Sequence, residues 1–494
     1  MEKLVYRNPI LQFDFSDPDA IRVGEDFFMI ASSFNHAPGV PVLHSKNLVE
    51  WKIINYVFDE LPFERFKKVQ HGDGAWAPAI RYHNGIFYAV IPFPDEGIYV
   101  SETTDPFGKW SPLRCLIPGK GLIDPCPIWT NDKCYVAVGF AKSRIGFNSC
   151  IGLFEVSTDL TTVISDYKII YDGHDNNPTI EGPKFNVRGD YYYILCPAGS
   201  VKGGWQVALR SKNIYGPYES KVILMQNGTK INGPHQGALI DLDDNDNWAF
   251  IHFQDMWAYG RIVHLEPVTW AQDWPLCGEV NDPLIAGAPV AMGHYPVDIK
   301  TGDSVQISDD FKTPYLSLMW QTPANKPEGM CKFGDGLVLN CIETKENPLH
   351  LVPQVLTTKV PALSFNISVD FVSYLKADGD EAGFTMMGES YTYLCLKKEE
   401  ETVYLCLFKG TYHTGEEVVY KEKTDETYFN FMIKCENEAI YDLKYTYYVN
   451  GKALPYTFYA KAGRWIGTTY GIYARGVKDG GFARFTNFNV DVIK

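Results

Sequence analysis

The 494-residue sequence predicts an all-β chain: a five-bladed β-propeller followed by a β-sandwich. Three observations carry that reading. First, a pattern of polar or small head, Pro or Gly, and two β-prone runs joined by a tight turn occurs five times in the first 255 residues. Its spacing of roughly 47–60 residues suits a four-stranded propeller blade with loops. Second, the chain beyond Ser308 alternates with period two through FNISVDFVSYL, YTYLCLKK, TVYLCLF and YTYYVNG, as a two-layer sandwich requires. Third, no long stretch sustains apolar residues at i, i+3, i+4 and i+7, whereas 14% aromatics, 42 Gly and 30 Pro favour short strands and tight turns.

The five copies run in order. DPDAIRVGEDFFMIAS starts at Asp17, and APAIRYHNGIFYAVIP starts at Ala77, directly after Trp76. DPCPIWTNDKCYVAVG starts at Asp124, EGPKFNVRGDYYYILC at Glu181, and HQGALIDLDDNDNWAFIHF at His235. In the fourth copy Arg188-Gly189-Asp190 separates two β-forming runs, which is hairpin chemistry because Gly accepts the positive φ of a two-residue turn. In the fifth, Asp243, Asp244 and Asp246 lack the Gly and Glu of a calcium loop and read as a solvated hairpin turn. After Trp274 the blade signal stops and a Gly- and Pro-rich run begins at Ala286. The organisation expected is a propeller over 1–290, a linker over 291–307 and a sandwich over 308–494.

A net charge of −15 disfavours nucleic acid and anionic membrane as partners and suits a neutral substrate. Eleven cysteines, odd in number and irregular in spacing, do not form a disulfide framework. MEKLVYRNPILQFDF lacks the basic and apolar segments of a secretory signal, and no run is long enough for a membrane span. A cytoplasmic location is therefore expected, or a secreted one if a leader has been removed.

In a propeller the innermost strands surround one axis, so equivalent blade heads converge at one funnel mouth. That gathers Asp17, Asp124, Glu181 and His235 from distant parts of the chain. Asp-Pro and Glu-Gly-Pro are also ordinary turn chemistry. What favours a site is that four of five heads are ionisable and three are carboxylates. Converging carboxylates repel, so at least one should hold its proton near neutrality. A protonated acid beside an ionised base is the equipment of glycoside hydrolysis. No H-x-x-x-H or E-x-x-H element supports zinc chemistry, and no G-x-S-x-G elbow supports a serine hydrolase.

The opening NPILQFDFSDPDAIRVGEDFFMIASSFNHAPGVPVLHSKNLVEW, together with GAWAPAIRYHNGIFY, the I-D-P at Ile123–Pro125 and EGPKFNVRGDYYYI, resembles glycoside hydrolase family 43. PAGSVKGGWQVALRSKNIYGPYE, NGPHQGALI and HFQDMWAYGRIVHLEPVTW resemble its β-xylosidase and α-L-arabinofuranosidase branch. The resemblance implies an inverting, exo-acting enzyme that releases xylose from β-1,4-xylo-oligosaccharides or arabinose-substituted xylan, with α-L-arabinofuranosidase activity beside or in place of it. Carried over by position, Asp17 resembles the general base, Glu181 the general acid, and Asp124 the third acid that tunes and orients Glu181. Ser16 and Asp19 depart from the family's usual residues, and Asp19 leaves a second carboxylate next to the base. Phe34, Trp76 and Trp205 resemble pocket walls, with burial between blades as the other reading for each. Arg261 resembles the substrate-binding arginine, a rigid fork suited to adjacent hydroxyls. His235 resembles the histidine that faces a calcium ion or a water cluster in the central channel, or else one that only orients a carboxylate. The C-terminal run resembles the concanavalin-like domain of family 43 xylosidases, whose loop near Trp465 is the candidate to close the pocket. Two other readings stay open. Invertase-like fructan hydrolases share this domain pair but carry Arg before the middle Asp and Cys after the acid, where Ile123 and Gly182 stand here. The other is a non-catalytic carbohydrate-binding protein, against which the three retained acids weigh.

Overall fold

The computed structural model describes residues 3–345, 347–477 and 480–493. Five antiparallel four-stranded sheets follow one another in sequence order, each meandering outward from its first strand. Blade 1 holds Asp19–Val23, Asp26–Ile30, Gly39–Ser45 and Lys52–Phe58. Blades 2 to 5 begin with Ala79–His83, Leu122–Thr130, Lys184–Arg188 and His235–Asp241. The second strands read as unbroken apolar runs because both of their faces are buried. Phe27 and Met29 face the core shared with blade 5, whereas Phe28 and Ile30 face the core shared with blade 2. The same alternation makes one apolar cluster at each of the other three blade junctions. The ring closes between blades 5 and 1, where Leu11 bridges to Val263 and Phe15 donates its N–H to the Arg261 carbonyl.

The segment 291–307 is not the free tether its composition suggests. Met292–His294 pairs with Val5–Arg7, and the carboxylate of Glu50 accepts hydrogen bonds from the N–H groups of Thr301 and Gly302. Asn47 donates to the Ile299 carbonyl. The run is a strap along the propeller: its first residues form a two-stranded sheet with Val5–Arg7, and the rest find hydrogen-bond partners on blade 1.

The C-terminal unit packs a seven-stranded sheet on a six-stranded one. Phe365–Tyr374 alternates buried and half-buried residues along nearly its whole length, as a strand with one face in the core must. The apolar core between the sheets also takes in Met256, Ala258, Tyr259 and Ile262 from blade 5. Backbone bridges Ala37–Thr322 and Gln321–Thr357 run from the propeller to the sandwich through residues 321–322. Four blade 5 residues are therefore buried in the sandwich core, while each blade junction keeps an apolar cluster of its own.

Candidate active site

The blade heads are organised by proline. Asp17, Asp124, Gly182 and Gly233 each precede a Pro and have φ of 56°, 55°, 58° and 47°. A non-glycine residue at positive φ costs on the order of 1–3 kcal/mol, and the following Pro restricts it further. Asp is among the side chains that tolerate such a backbone. The first strand starts just past the Pro in four blades, at Asp19, Ala79, Lys184 and His235. This corrects the register expected for the heads. Asp17 and Asp124 are equivalent, Glu181 lies one residue before that position, and His235 lies two residues after it, level with Asp19. The offset sets the carboxylates at different heights, with the acids at the mouth and the His235 layer below them in the channel.

That layer also settles the ambiguity of Asp19. Its side chain is fully buried and accepts bonds from Arg81 Nη1 (2.6 Å) and the Ile80 N–H (2.9 Å). Asp19 is a channel ion-pair partner, leaving Asp17 at the mouth.

Asp17 Oδ2 accepts hydroxyl hydrogen bonds from Ser16 (2.7 Å) and Ser32 (2.6 Å). Arg261 Nη1 donates to Ser16 Oγ (2.7 Å) and lies 3.5 Å from Asp17 Oδ1. Asp124 is buried, and its Oδ2 accepts the Gly182 N–H at 2.8 Å. Burial, and then the charge of Asp17, push the Asp124 carboxyl above its ordinary range, while the Gly182 N–H and Lys184 pull it back. Glu181 is also pushed well up, by desolvation first and then by Asp124 and Asp17. Among the described residues no hydrogen bond favours its charged form. The nearest donor candidate is His235 Nε2 at 3.6 Å from Oε1, and burial keeps that imidazole neutral, lowering it to about 3. Of the two coupled acids, Asp124 has a donor and Glu181 has none, so the shared proton resides on Glu181. Glu181 keeps 35% of its side chain open to solvent, enough to meet a ligand. A proton donor beside buried carboxylates is the equipment of acid–base catalysis at a glycosidic oxygen.

The fold brings Arg261 and Trp76 to the same rim and completes it with Trp465, which lies 6.2 Å from Trp76 in a T-shaped pair and 5.9 Å from the Arg261 guanidinium. Asp14 holds this loop in place: one carboxylate oxygen accepts the Arg261 N–H, the other the Gly467 N–H, both at 2.8 Å. Phe34 is buried, with φ of 51°, and bridges to Ala75 between blades 1 and 2. Among the described residues Trp205 makes no hydrogen bond or ring contact with the acids. Its indole N–H donates to Asn177 at 3.2 Å and its ring packs on the core between blades 3 and 4.

Sequence reasoning missed Ser16 and Ser32 as partners of Asp17, Asp14 as the loop clamp, and Gly139. A Cβ on Gly139 would lie 3.3 Å from Asp124 Oδ2 and 3.6 Å from the Glu181 Cα, so any side chain here would press directly on the Asp124 carboxylate. Ser16 stood next to a blade head and was legible by position. Ser32 and Gly139 close the first and third copies and Asp14 lies in the opening motif, but no local pattern pairs them with acids that meet only in the fold.

The implied calcium ion was tested against the residues around His235. Its Nδ1 is buried without a partner, which leaves one imidazole nitrogen facing the channel. Calcium takes six to eight oxygen ligands, and among the described residues the His/Cys/Asp/Glu cluster with ligand spacing lies elsewhere, at Cys150, Asp172 and His174. Among the described residues no cluster of three His, Cys, Asp or Glu ligands surrounds His235, so an ion there would rest on the imidazole and water.

Residues 6–275 match the family model described as glycosyl hydrolases family 43, and residues 308–491 match a β-xylosidase C-terminal concanavalin A-like domain. The chain is 38% identical over 365 residues to a putative β-xylosidase of Xylanibacter ruminicola, covering 72% of this chain and 66% of that protein. It is 28% identical over 547 residues to a β-xylosidase of Formosa agariphila, covering 98% and 90% of the two chains. A solved family 43 protein from Bacillus licheniformis shares the fold with a TM-score of 0.85 at 22% identity, over 99% of this chain and 100% of that one. The chain belongs to glycoside hydrolase family 43, and is a glycoside hydrolase built from that family's propeller and its concanavalin A-like C-terminal domain.

Proposed function

We propose that the protein is an exo-acting, inverting β-xylosidase that removes single xylosyl units from the non-reducing ends of β-1,4-xylo-oligosaccharides, with α-L-arabinofuranosidase activity at the same site. The observation that carries this is the state of Glu181: half-buried between carboxylates, without a donor for its charged form and open on one side, it is a proton donor waiting for a glycosidic oxygen. In the proposed reaction Asp17, held by two serine hydroxyls and Arg261, takes a proton from a water that attacks the anomeric carbon. Glu181 protonates the departing oxygen, and Asp124 orients Glu181 and keeps its proton affinity high. Trp76, Trp465 and Arg261 line the rim, where aromatic faces and a guanidinium fork suit one terminal pentose. Support for the sugar comes from the relatives named β-xylosidase, and xylopyranose and arabinofuranose present similar hydroxyls to such a pocket. An ion resting on His235 Nδ1 would take its other ligands from water; the proposed chemistry does not pass through it.

Proton NMR of xylobiose hydrolysis, read in the first seconds, tests the reading. The α-anomer of xylose should appear first and then mutarotate. The β-anomer appearing first would establish retention instead. Paired nitrophenyl β-D-xyloside and α-L-arabinofuranoside assays set the sugar preference, and cleavage of neither would end the proposal.

A further inference from the structure

Blade 3 carries a second constellation that the glycosidase chemistry does not use. Its third strand starts at Cys150 and its outer strand ends at Asp172, and the two residues are paired in register. The chain then turns through Gly173, whose N–H donates to the Ser149 carbonyl at 2.8 Å, so that His174 folds back over the pair. The His174 N–H donates to Asp172 Oδ1 at 3.1 Å, and its Nδ1 lies 2.6 Å from the same oxygen. Cys150 Sγ is 3.9 Å from that Nδ1. One thiol, one imidazole nitrogen and one carboxylate oxygen all lie within 4.8 Å of one another.

We propose that Cys150, Asp172 and His174 form a binding site for one thiophilic divalent metal ion of the zinc class, with water as the fourth ligand. A tetrahedral ion with Zn–S of about 2.3 Å and Zn–N or Zn–O of about 2.0–2.2 Å needs ligand atoms about 3.3–3.6 Å apart. The thiol and imidazole already lie near that separation. The carboxylate and imidazole must part by somewhat under 1 Å, which rotation of two exposed side chains supplies: His174 is 56% and Asp172 66% exposed. The donor set selects the metal, since a thiolate with an imidazole suits zinc-class ions and is a poor site for calcium or magnesium, which prefer oxygen ligands. Binding releases the Cys150 thiol proton and leaves the His174 proton on Nε2, the nitrogen facing away from the metal. Cys115, the exposed thiol of the eleven free cysteines, belongs to no such cluster among the described residues. The place is mechanically suggestive as well. Ser149, next to Cys150, holds the Thr179 N–H through its hydroxyl at 2.8 Å, two residues before Glu181.

Titration of the full-length protein with Co²⁺, followed by equilibrium dialysis with Zn²⁺, tests the site. The expected result is one ion per chain with a thiolate-to-cobalt charge-transfer band in the near ultraviolet. The band should vanish in Cys150→Ser, persist in Cys115→Ser, and require at least tenfold more metal in His174→Ala. His174 is exposed, so that last variant remains informative even if Cys150→Ser fails to fold. Absence of the band in the unaltered protein, its persistence in Cys150→Ser, or unchanged affinity in His174→Ala would each overturn the proposal. None of these readouts depends on hydrolytic activity.

Discussion

Glu181 must carry a proton to act as a donor, and its surroundings decide up to what pH it does so. Burial raises its pKa most, and the charges of Asp124 and Asp17 add to that, with Arg261 opposing. Activity should therefore hold above the ordinary glutamate range and fall as pH rises through the elevated value. Asp124→Asn removes one neighbouring negative charge, so Glu181 should release its proton at lower pH. The alkaline limb of kcat/KM then moves toward acid, and a limb that stayed fixed or moved the other way would contradict the assignment. The same shift has a thermodynamic side. A carboxyl whose pKa is higher folded than unfolded binds more protons in the native state, so stability declines as pH rises from the unfolded value through the folded one. Glu181→Gln abolishes that decline at this position. Its Tm should gain on the unaltered protein between acid and alkaline pH, while turnover of substrates with poor leaving groups drops by about 10²–10⁴.

At the scale of the blade, the acids depend on how each first strand is entered. Gly182 has φ of 58°, and a Cβ there would meet the Gln236 amide carbon at 2.8 Å and Pro197 Cδ at 2.9 Å. Its N–H is also the donor to Asp124. Gly182→Ala should cost about 1–3 kcal/mol by strain alone and displace Glu181 together with its partner. The measurements are a denaturant melt and kcat on nitrophenyl xyloside; a fully active, equally stable variant would show that the entry turn is slack. The five copies were legible in the sequence because proline and the aromatic strand after each turn punctuate them. Their vertical offset was not. Glu-Gly-Pro and His-Gln-Gly read as heads like Asp-Pro, and the pre-proline φ and strand starts that separate them appear only once the backbone is laid out. Trp205, half-buried, donates its indole N–H to Asn177 and packs on the core between blades 3 and 4, contacts that no local pattern in the sequence announces.

For the whole molecule, the question is whether the sandwich is an appendage or part of the catalytic unit. Composition alone suggested two domains and a linker, since contacts between residues more than 200 positions apart leave no local pattern in the sequence. The fold answers through three features: blade 5 residues Met256, Ala258, Tyr259 and Ile262 sit in the sandwich core, the strap over 291–307 is fixed to blade 1, and the Arg464–Trp465 loop is clamped by Asp14 at the rim of the acids. Lys359 from the sandwich is half-buried at the interface, its ammonium 5.6 Å from the centre of the Phe15 ring and its pKa lowered by desolvation there. Stripping off 308–494 would expose those apolar side chains to water, at about 25 cal/mol for each Å² uncovered, and open one wall of the pocket. A chain ending at residue 307 should therefore aggregate or lack activity, and the full chain should unfold in one calorimetric transition. Trp465→Ala separates the two contributions. The ring is 41% exposed, so its loss should leave Tm nearly unchanged while kcat/KM on xylobiose falls about tenfold or more, the equivalent of about 1.4 kcal/mol of transition-state binding. An active, soluble 1–307 fragment, or a Trp465→Ala enzyme with unaltered kinetics, would return the sandwich to the status of an appendage.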